Sequence, residues 1–261
     1  MPVMSTIPPR NDVYEYLGVV DAANAVVRAI AQGRQVPLVD YHREMLPLLE
    51  QGLSSDGVHP SVREYNTSCH FDADGVGYGY NARNLATIHA LDRAMKTVVD
   101  GVSQLDAVAP KLEGSGARAQ PFLVPSLPFS ELRDVATLNT NDFEQYACQG
   151  AKRGLGNDAV YSVTVTKPTL VRAGAIDATP PIDVDGGQPD WLDVDLHVLD
   201  AQGACLKSGD ATVVTSLQPG TYLFVVDRSE SERPTTNGEY VFFVVPCRDG
   251  DRLCEDLAAA P

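Results

Sequence analysis

Nowhere in these 261 residues do about 18 apolar residues follow one another, the length a membrane-crossing helix needs. Met1 is not followed by the basic segment and apolar core of a signal peptide, so the chain as written carries no export address. Positive charge is scarce, with 20 Lys and Arg against 35 Asp and Glu. That balance supplies no basic stripe and repels phosphate, which disfavours nucleic acid and anionic headgroups as partners. The acidity is uneven: residues 1–100 hold 8 basic against 12 acidic side chains, and residues 101–261 hold 12 against 23. Disorder throughout is excluded by 44% hydrophobic residues in a chain long enough for about two domains.

Cysteine is sparse, but four of the five fall at or beyond residue 148. This reads as an extracytoplasmic disulfide framework. It conflicts with the missing signal peptide, and the conflict resolves if Met1 is not the natural start. A secreted or cell-envelope protein is therefore expected.

Along the chain the hydrophobic period changes once. Residues 2–9 (PVMSTIPP) have the composition of a strand entering a loop, and from Asn11 to Gly33 apolar residues recur at three- and four-residue steps, as in a helix. Val36–Tyr41 (VPLVDY) is a second expected strand, Arg43–Gln51 a short helix and Asn81–Val99 a long one, with Leu85, Ile88, Leu91, Ala94, Met95 and Val98 on one side. This β-α-β-α rhythm belongs to a parallel sheet covered by helices. Residues 101–130 are rich in Gly and Pro and read as a linker. Beyond it the period becomes two, in runs at Ala159–Val165, Leu170–Ile176, Leu192–Leu199, Thr212–Leu217, Gly220–Asp227 and Glu239–Val245. These predict a β-sandwich or jelly roll.

The segment richest in chemistry is Ser55-Asp56-Gly57-Val58-His59-Pro60. An Asp and a His three residues apart on a tight turn let the carboxylate hold one imidazole nitrogen while the other faces a substrate hydroxyl. Taken alone the pattern is weak, since such pairs meet by chance in surface loops. Its surroundings are more specific. A strand VPLVDY, a short helix, GLSSDGVHPS and a later helix opening with NARNL closely resemble the last third of SGNH/GDSL hydrolases. PVMSTIPPR resembles the strand that precedes the penultimate helix of that fold. The resemblance covers about residues 2–100 and implies a Ser-His-Asp triad in which Asp56 orients and His59 is the general base.

The departure from the family is large. Its nucleophile block and its oxyanion-hole blocks belong before the region where this chain begins. Ser54 and Ser55 are too close along the backbone to His59 to replace the nucleophile, and Gly154-Leu155-Gly156-Asn157-Asp158 spells G-x-N-D but leads into a sandwich strand and reads as a turn. A base without nucleophile or oxyanion donors leaves the chain catalytically incomplete. Two parallel strands alone also leave open edges that another polypeptide would complete.

Other residues invite functional readings. His42 and Glu44 follow a strand end, where a solvated helix start is the simpler account. His70, Asp72 and Asp74 mix N and O ligands without a common zinc spacing and read as a loop. Asp177, Asp183, Asp185, Asp190, Asp193, Asp195 and Asp200 suggest calcium, but alternation in Leu192-Asp193-Val194-Asp195-Leu196 puts the acids on a solvent face. No cofactor or metal is therefore assigned. The same runs, with DAVYSVTV, LQPGTYLFVVD and GEYVFF, are similar to the bacterial pre-peptidase C-terminal domain over about residues 130–247, which implies a non-catalytic accessory role. Cys247 with Cys254 and Cys148 with Cys205 are the expected disulfides, leaving Cys69 either free or paired outside this chain.

The expected architecture is α/β plus all-β: residues 1–100 an incomplete three-layer α/β/α SGNH-type sheet, 101–130 a linker, 131–261 a β-sandwich. The expected parent is a secreted carboxylic ester hydrolase acting on esters or acylated carbohydrates. The rival is a non-catalytic protein that binds polysaccharide or cell envelope through its sandwich.

Overall fold

The computed structural model describes residues 2–13, 17–64, 67–102, 112–148, 156–179, 192–228 and 238–259. Two compact units result, Met1–Pro110 with Arg248–Leu253 and Lys111–Cys247 with Cys254–Pro261.

The first unit opens with strand β1 (Met4–Ser5), helix α1 (Leu17–Gly33) and strand β2 (Leu38–Val39), and the two strands pair in parallel, Met4 opposite Leu38. Among the described residues they form the whole sheet of this unit, so a wide parallel sheet is not seen. β2 is shorter than VPLVDY because Asp40 leaves the strand to cap helix α2 (Tyr41–Met45), accepting from the Arg43 amide while Arg28 holds both of its oxygens at 2.9 Å. α2 in turn stops at Met45, well before Gln51; a separate 3₁₀ turn spans Leu49–Gly52, and Glu50 and Gln51 take positive φ there. Val39, Tyr41, Met45, Leu53 and Ala90 make the small core. Asn24 of α1, fully buried, fastens the chain after β1 by exchanging two hydrogen bonds with the backbone of Ile7.

Helix α3 (Gly79–Val98) forms where the periodicity places it, with a different face inward. Gly79, Asn81, Ala82 and Ala90 are buried, while Ile88, Leu91, Met95 and Val98 are about half exposed or more (48–61%). The small residues win because the backbones approach closely: a Cβ on Gly79 would lie 2.1 Å from the carbonyl oxygen of Gly52.

In the second unit a five-stranded sheet, in the order β3 (Phe122–Leu123), β5 (Asp158–Val165), β10 (Gly220–Arg228), β7 (Val194–Asp200), β8 (Cys205–Asp210), faces a four-stranded sheet, β4 (Phe129–Asp134), β11 (Glu239–Pro246), β6 (Thr169–Asp177), β9 (Thr212–Leu217). All pairs are antiparallel except β3 with β5. Tyr161, Val163, Leu196, Val198, Phe224 and Val226 from one sheet interdigitate with Val171, Ala173, Val213, Phe242 and Val244 from the other, which defines a β-sandwich. Helix α4 (Arg252–Ala259) closes the described chain. Part of the expected linker belongs to the sandwich: Phe122, buried beneath strand β4, has its ring 5.4 Å from that of Tyr161. The prolines at 121, 125 and 128 bound short edge strands there. Among the described residues no helix is long and apolar enough to cross a membrane.

Candidate functional site

The turn that carries Asp56 and His59 is fixed at its base by an antiparallel bridge between Leu53 and Pro60. Ser54 donates its amide to the His59 carbonyl at 2.7 Å, and Gly57 donates to the Ser54 carbonyl at 3.0 Å. Gly57 sits at φ +71°, and a Cβ there would lie 2.9 Å from the Asp12 amide nitrogen, so both its backbone angle and its neighbour require glycine. The Asn11 amide donates to the Gly57 carbonyl at 2.8 Å, which holds the turn against the loop after β1.

Within this turn Asp56 does two jobs. Its Oδ1 accepts the amides of Val58 and His59, both at 3.0 Å, and its Oδ2 lies 2.7 Å from His59 Nδ1. The imidazole hydrogen bond, followed by the two amides, pulls the Asp56 carboxyl down to about 2. Asp56 is therefore a carboxylate across the ordinary pH range and fixes the tautomer with the proton on Nδ1. His59 Nε2 makes no hydrogen bond among the described residues, and the side chain is 70% exposed. Chemically this is an oriented imidazole with a free acceptor nitrogen.

Neither nearby serine meets that nitrogen. Ser54 Oγ donates instead to the Pro60 carbonyl at 3.1 Å, and Ser55 lies on the wall of an open depression of about 700 Å³ lined by Asn11, Asp12, Glu50, Leu53, Ser54, Ser55, Asp56 and Gly57. Three carboxylates on this wall, with Asp12 held ionised chiefly by Arg10, make it hostile to anionic substrates.

The remaining candidate residues separate. His42 is buried, contrary to a solvated helix start: Arg28 and Arg248 approach its two nitrogens at 3.2 and 3.1 Å, and Asp21 lies 3.1 Å from Nε2. Arg248 also grips Asp21 with two bonds of 2.6 Å, so His42 is the filler of an ion-pair network. Glu44 is exposed. Asp72 caps a turn through the Gly75 amide, Asp74 pairs with Arg63, and His70 is exposed beside them. Gly154 and Leu155 lie outside the described residues, as do Asp183, Asp185 and Asp190. Asp177 accepts the amides of Thr179 and Leu192, and Asp200 those of Gln202 and Ala204; both shape turns. Among the described residues the only three-member group close enough to share a cation is Cys247, Asp251 and Cys254, and its two sulfurs are joined to each other. Both expected disulfides, Cys148–Cys205 and Cys247–Cys254, are present, and Cys69 is a free, exposed thiol.

Alternation fails at one strand. Asp193 is exposed as expected, but Asp195, on the same face, is only 4% exposed, and His197 is fully buried. The outer face of the five-stranded sheet is roofed by Phe143 and Tyr146, which pack on Val160, Leu199, Leu223 and Val225. The Tyr146 ring stacks on His197 at 3.5 Å. Under this roof Asp227 of β10 stands directly opposite both Asp158 of β5 and Asp195 of β7. The sequence signal for this row was present, in acids that end or begin apolar runs (LFVVD, DAVYSV), but the roof is a distant segment without periodicity.

No family model matches the chain, and no curated protein matches it. Among solved structures it is similar to the pre-peptidase C-terminal domain of a collagenase from Bacillus anthracis (13% identity, covering 45% of this chain and 89% of that one, TM-score 0.29). It is similar also to PliG of Aeromonas hydrophila, a periplasmic inhibitor of g-type lysozyme (13%, 48% and 93%, TM-score 0.28), and to the carbohydrate-binding module CBM36 in complex with calcium and xylotriose (9%, 44% and 98%, TM-score 0.20). None of the three is described as an ester hydrolase. At these scores the likenesses carry no argument, and the sandwich stands on its own two sheets.

Proposed function

We propose that the first unit is the acid–base part of an SGNH-type carboxylic ester hydrolase and that the sandwich is its non-catalytic accessory domain. The observation that carries this reading is the 2.7 Å contact between Asp56 Oδ2 and His59 Nδ1 on a turn that leaves Nε2 without a partner among the described residues. In the proposed mechanism Nε2 takes the proton of a serine hydroxyl as that oxygen attacks the ester carbonyl, then returns it to the departing alcohol, while Asp56 stabilises the imidazolium. The serine and the oxyanion donors come from polypeptide outside these residues. The acidic depression beside the turn favours neutral substrates such as esters or acylated carbohydrates. The location we infer, secreted or cell-envelope, rests on the two disulfides.

The test is hydrolysis of a chromogenic acyl ester by the 261-residue chain and by any longer polypeptide that contains it. The chain alone is expected to stay at background, and in an active longer form His59→Ala is expected to lower kcat about 10⁶-fold. Turnover by the 261 residues that survives His59→Ala would sink the assignment.

A second reading is that the protein binds polysaccharide or cell envelope through the sandwich without catalysis. It is favoured by the sandwich having two sheets around a continuous core, where the first unit shows two short strands among the described residues. Retention of the chain on insoluble polysaccharide or isolated envelopes, unchanged by His59→Ala, supports it.

A further inference from the structure

The row Asp158, Asp227, Asp195 places three acids side by side on adjacent strands, at 0%, 1% and 4% exposure. Asp158 and Asp227 are cross-strand partners, and both are pushed up, first by burial. Among the described residues the groups that face them are Asp142, Tyr146, Asp195 and His197. Asp142 and Tyr146 come from the roof, Asp195 and His197 from β7, and His197 Nε2 is 3.9 Å from Asp227 Oδ2. Arg118, a described cation beside the roof, lies over the face of Phe143 and donates to the Gln202 carbonyl.

Two adjacent buried carboxylates cannot both stay ionised without a counter-charge. The hydrogen bonds say which one is the anion. Asp158 Oδ2 accepts the amides of Asp142 and Phe143, at 2.8 and 2.9 Å, and those two residues begin the roof. Among the described residues the Asp227 carboxyl accepts no backbone amide, and its Oδ1, like Asp158 Oδ1 and the Tyr146 hydroxyl, is buried without a well-aligned partner.

We propose that Asp158 and Asp227 share one proton, carried mainly by Asp227, and that this proton latches the Asp142–Tyr146 segment onto the outer face of the five-stranded sheet. The latch opens as the pair loses its proton, because two charges then face each other under Tyr146. Opening rehydrates Asp227 and returns it towards the ordinary aspartate value near 3.8, so opening releases a proton and is favoured by rising pH. The window runs from that ordinary value up to the raised value in the closed state, and above it the dependence flattens. Roof opening would uncover the apolar strip of Val160, Leu223 and Val225 beneath Phe143 and Tyr146.

Two measurements test this on the whole chain. Infrared spectroscopy in D₂O at neutral pH is expected to show a protonated-carboxyl band that Asp227→Asn abolishes and Asp195→Asn leaves in place. Hydrogen exchange at the Asp142 and Phe143 amides, corrected for the intrinsic base-catalysed rate, is expected to show an opening constant that rises up to about tenfold per pH unit inside the window. In Asp227→Asn, whose neutral amide keeps the shape of the protonated acid, the slope should vanish and the roof stay closed. Absence of the band in the unmodified chain, which would leave charged His197 as counter-ion, overturns the proposal. So does a slope that persists in Asp227→Asn.

Discussion

At the scale of single residues, the Asp56–His59 pair is a problem of orientation. Asp56 accepts three hydrogen bonds from Val58 and His59, and the one from the imidazole is the largest cause of the lowering of its carboxyl. In His59→Ala the Asp56 carboxyl is therefore expected to titrate above about 2, shifted towards 3.8, as read by carbon NMR of the side chain. Because the folded value is depressed, whatever the pair contributes to stability is present above pH 3.8 and is lost as pH falls through about 2. Gly57→Ala is expected to displace the turn, since the added Cβ meets the Asp12 backbone as well as a positive φ; loss of the Asp56–His59 coupling in the same NMR titration checks it. The residues of this pair were legible in the sequence because three positions of separation on a glycine-containing turn confine both side chains to one corner. The burial of His42 was not, since its partners Asp21, Arg28 and Arg248 are scattered over the chain.

At the scale of elements, period decided type and neighbours decided face. The six alternating runs became β5, β6, β7, β9, β10 and β11, each within two residues of its expected ends. β4 and β8 were missed: FSELRD and CLKSGD are only partly buried and alternate poorly, so their strand state comes from pairing with β11 and β7. α3 is the sharper case. Its long apolar side chains predict an inward stripe, yet Gly79 and Ala82 face inward, and at Gly79 the approach of the Gly52 backbone leaves no room for a side chain. Exposed positions tolerate change, so Leu91→Lys and Met95→Lys are each expected to alter stability by less than about 0.5 kcal/mol. Phe242→Ala, which empties the space beside the Tyr161 ring 4.0 Å away, is expected to cost about 3–5 kcal/mol. Denaturant titration of the three variants distinguishes the two classes.

At the scale of the whole molecule, the two units differ in how each is held. The sandwich has two sheets and a continuous core, and Cys148–Cys205 adds a cross-link that spans 57 residues. Chain-entropy reasoning gives about 4 kcal/mol for that loop, against about 2 kcal/mol for the 7-residue span of Cys247–Cys254. Replacing Cys148 and Cys205 by Ser is thus expected to lower the sandwich's denaturation midpoint more than replacing Cys247 and Cys254. The sequence by itself determined what is local: the helical and alternating segments, the turn that joins Asp56 to His59, the short-span Cys247–Cys254 disulfide and the acidic balance. Those follow from spacing along the backbone, which a linear pattern records. Only the tertiary structure decided that Asp195 and His197 lie under a roof, that Asp158 and Asp227 meet, and that α3 turns its small residues inward. Each of these depends on a surface supplied by a segment far away in the chain, and no period in the strand or helix itself encodes what will cover it.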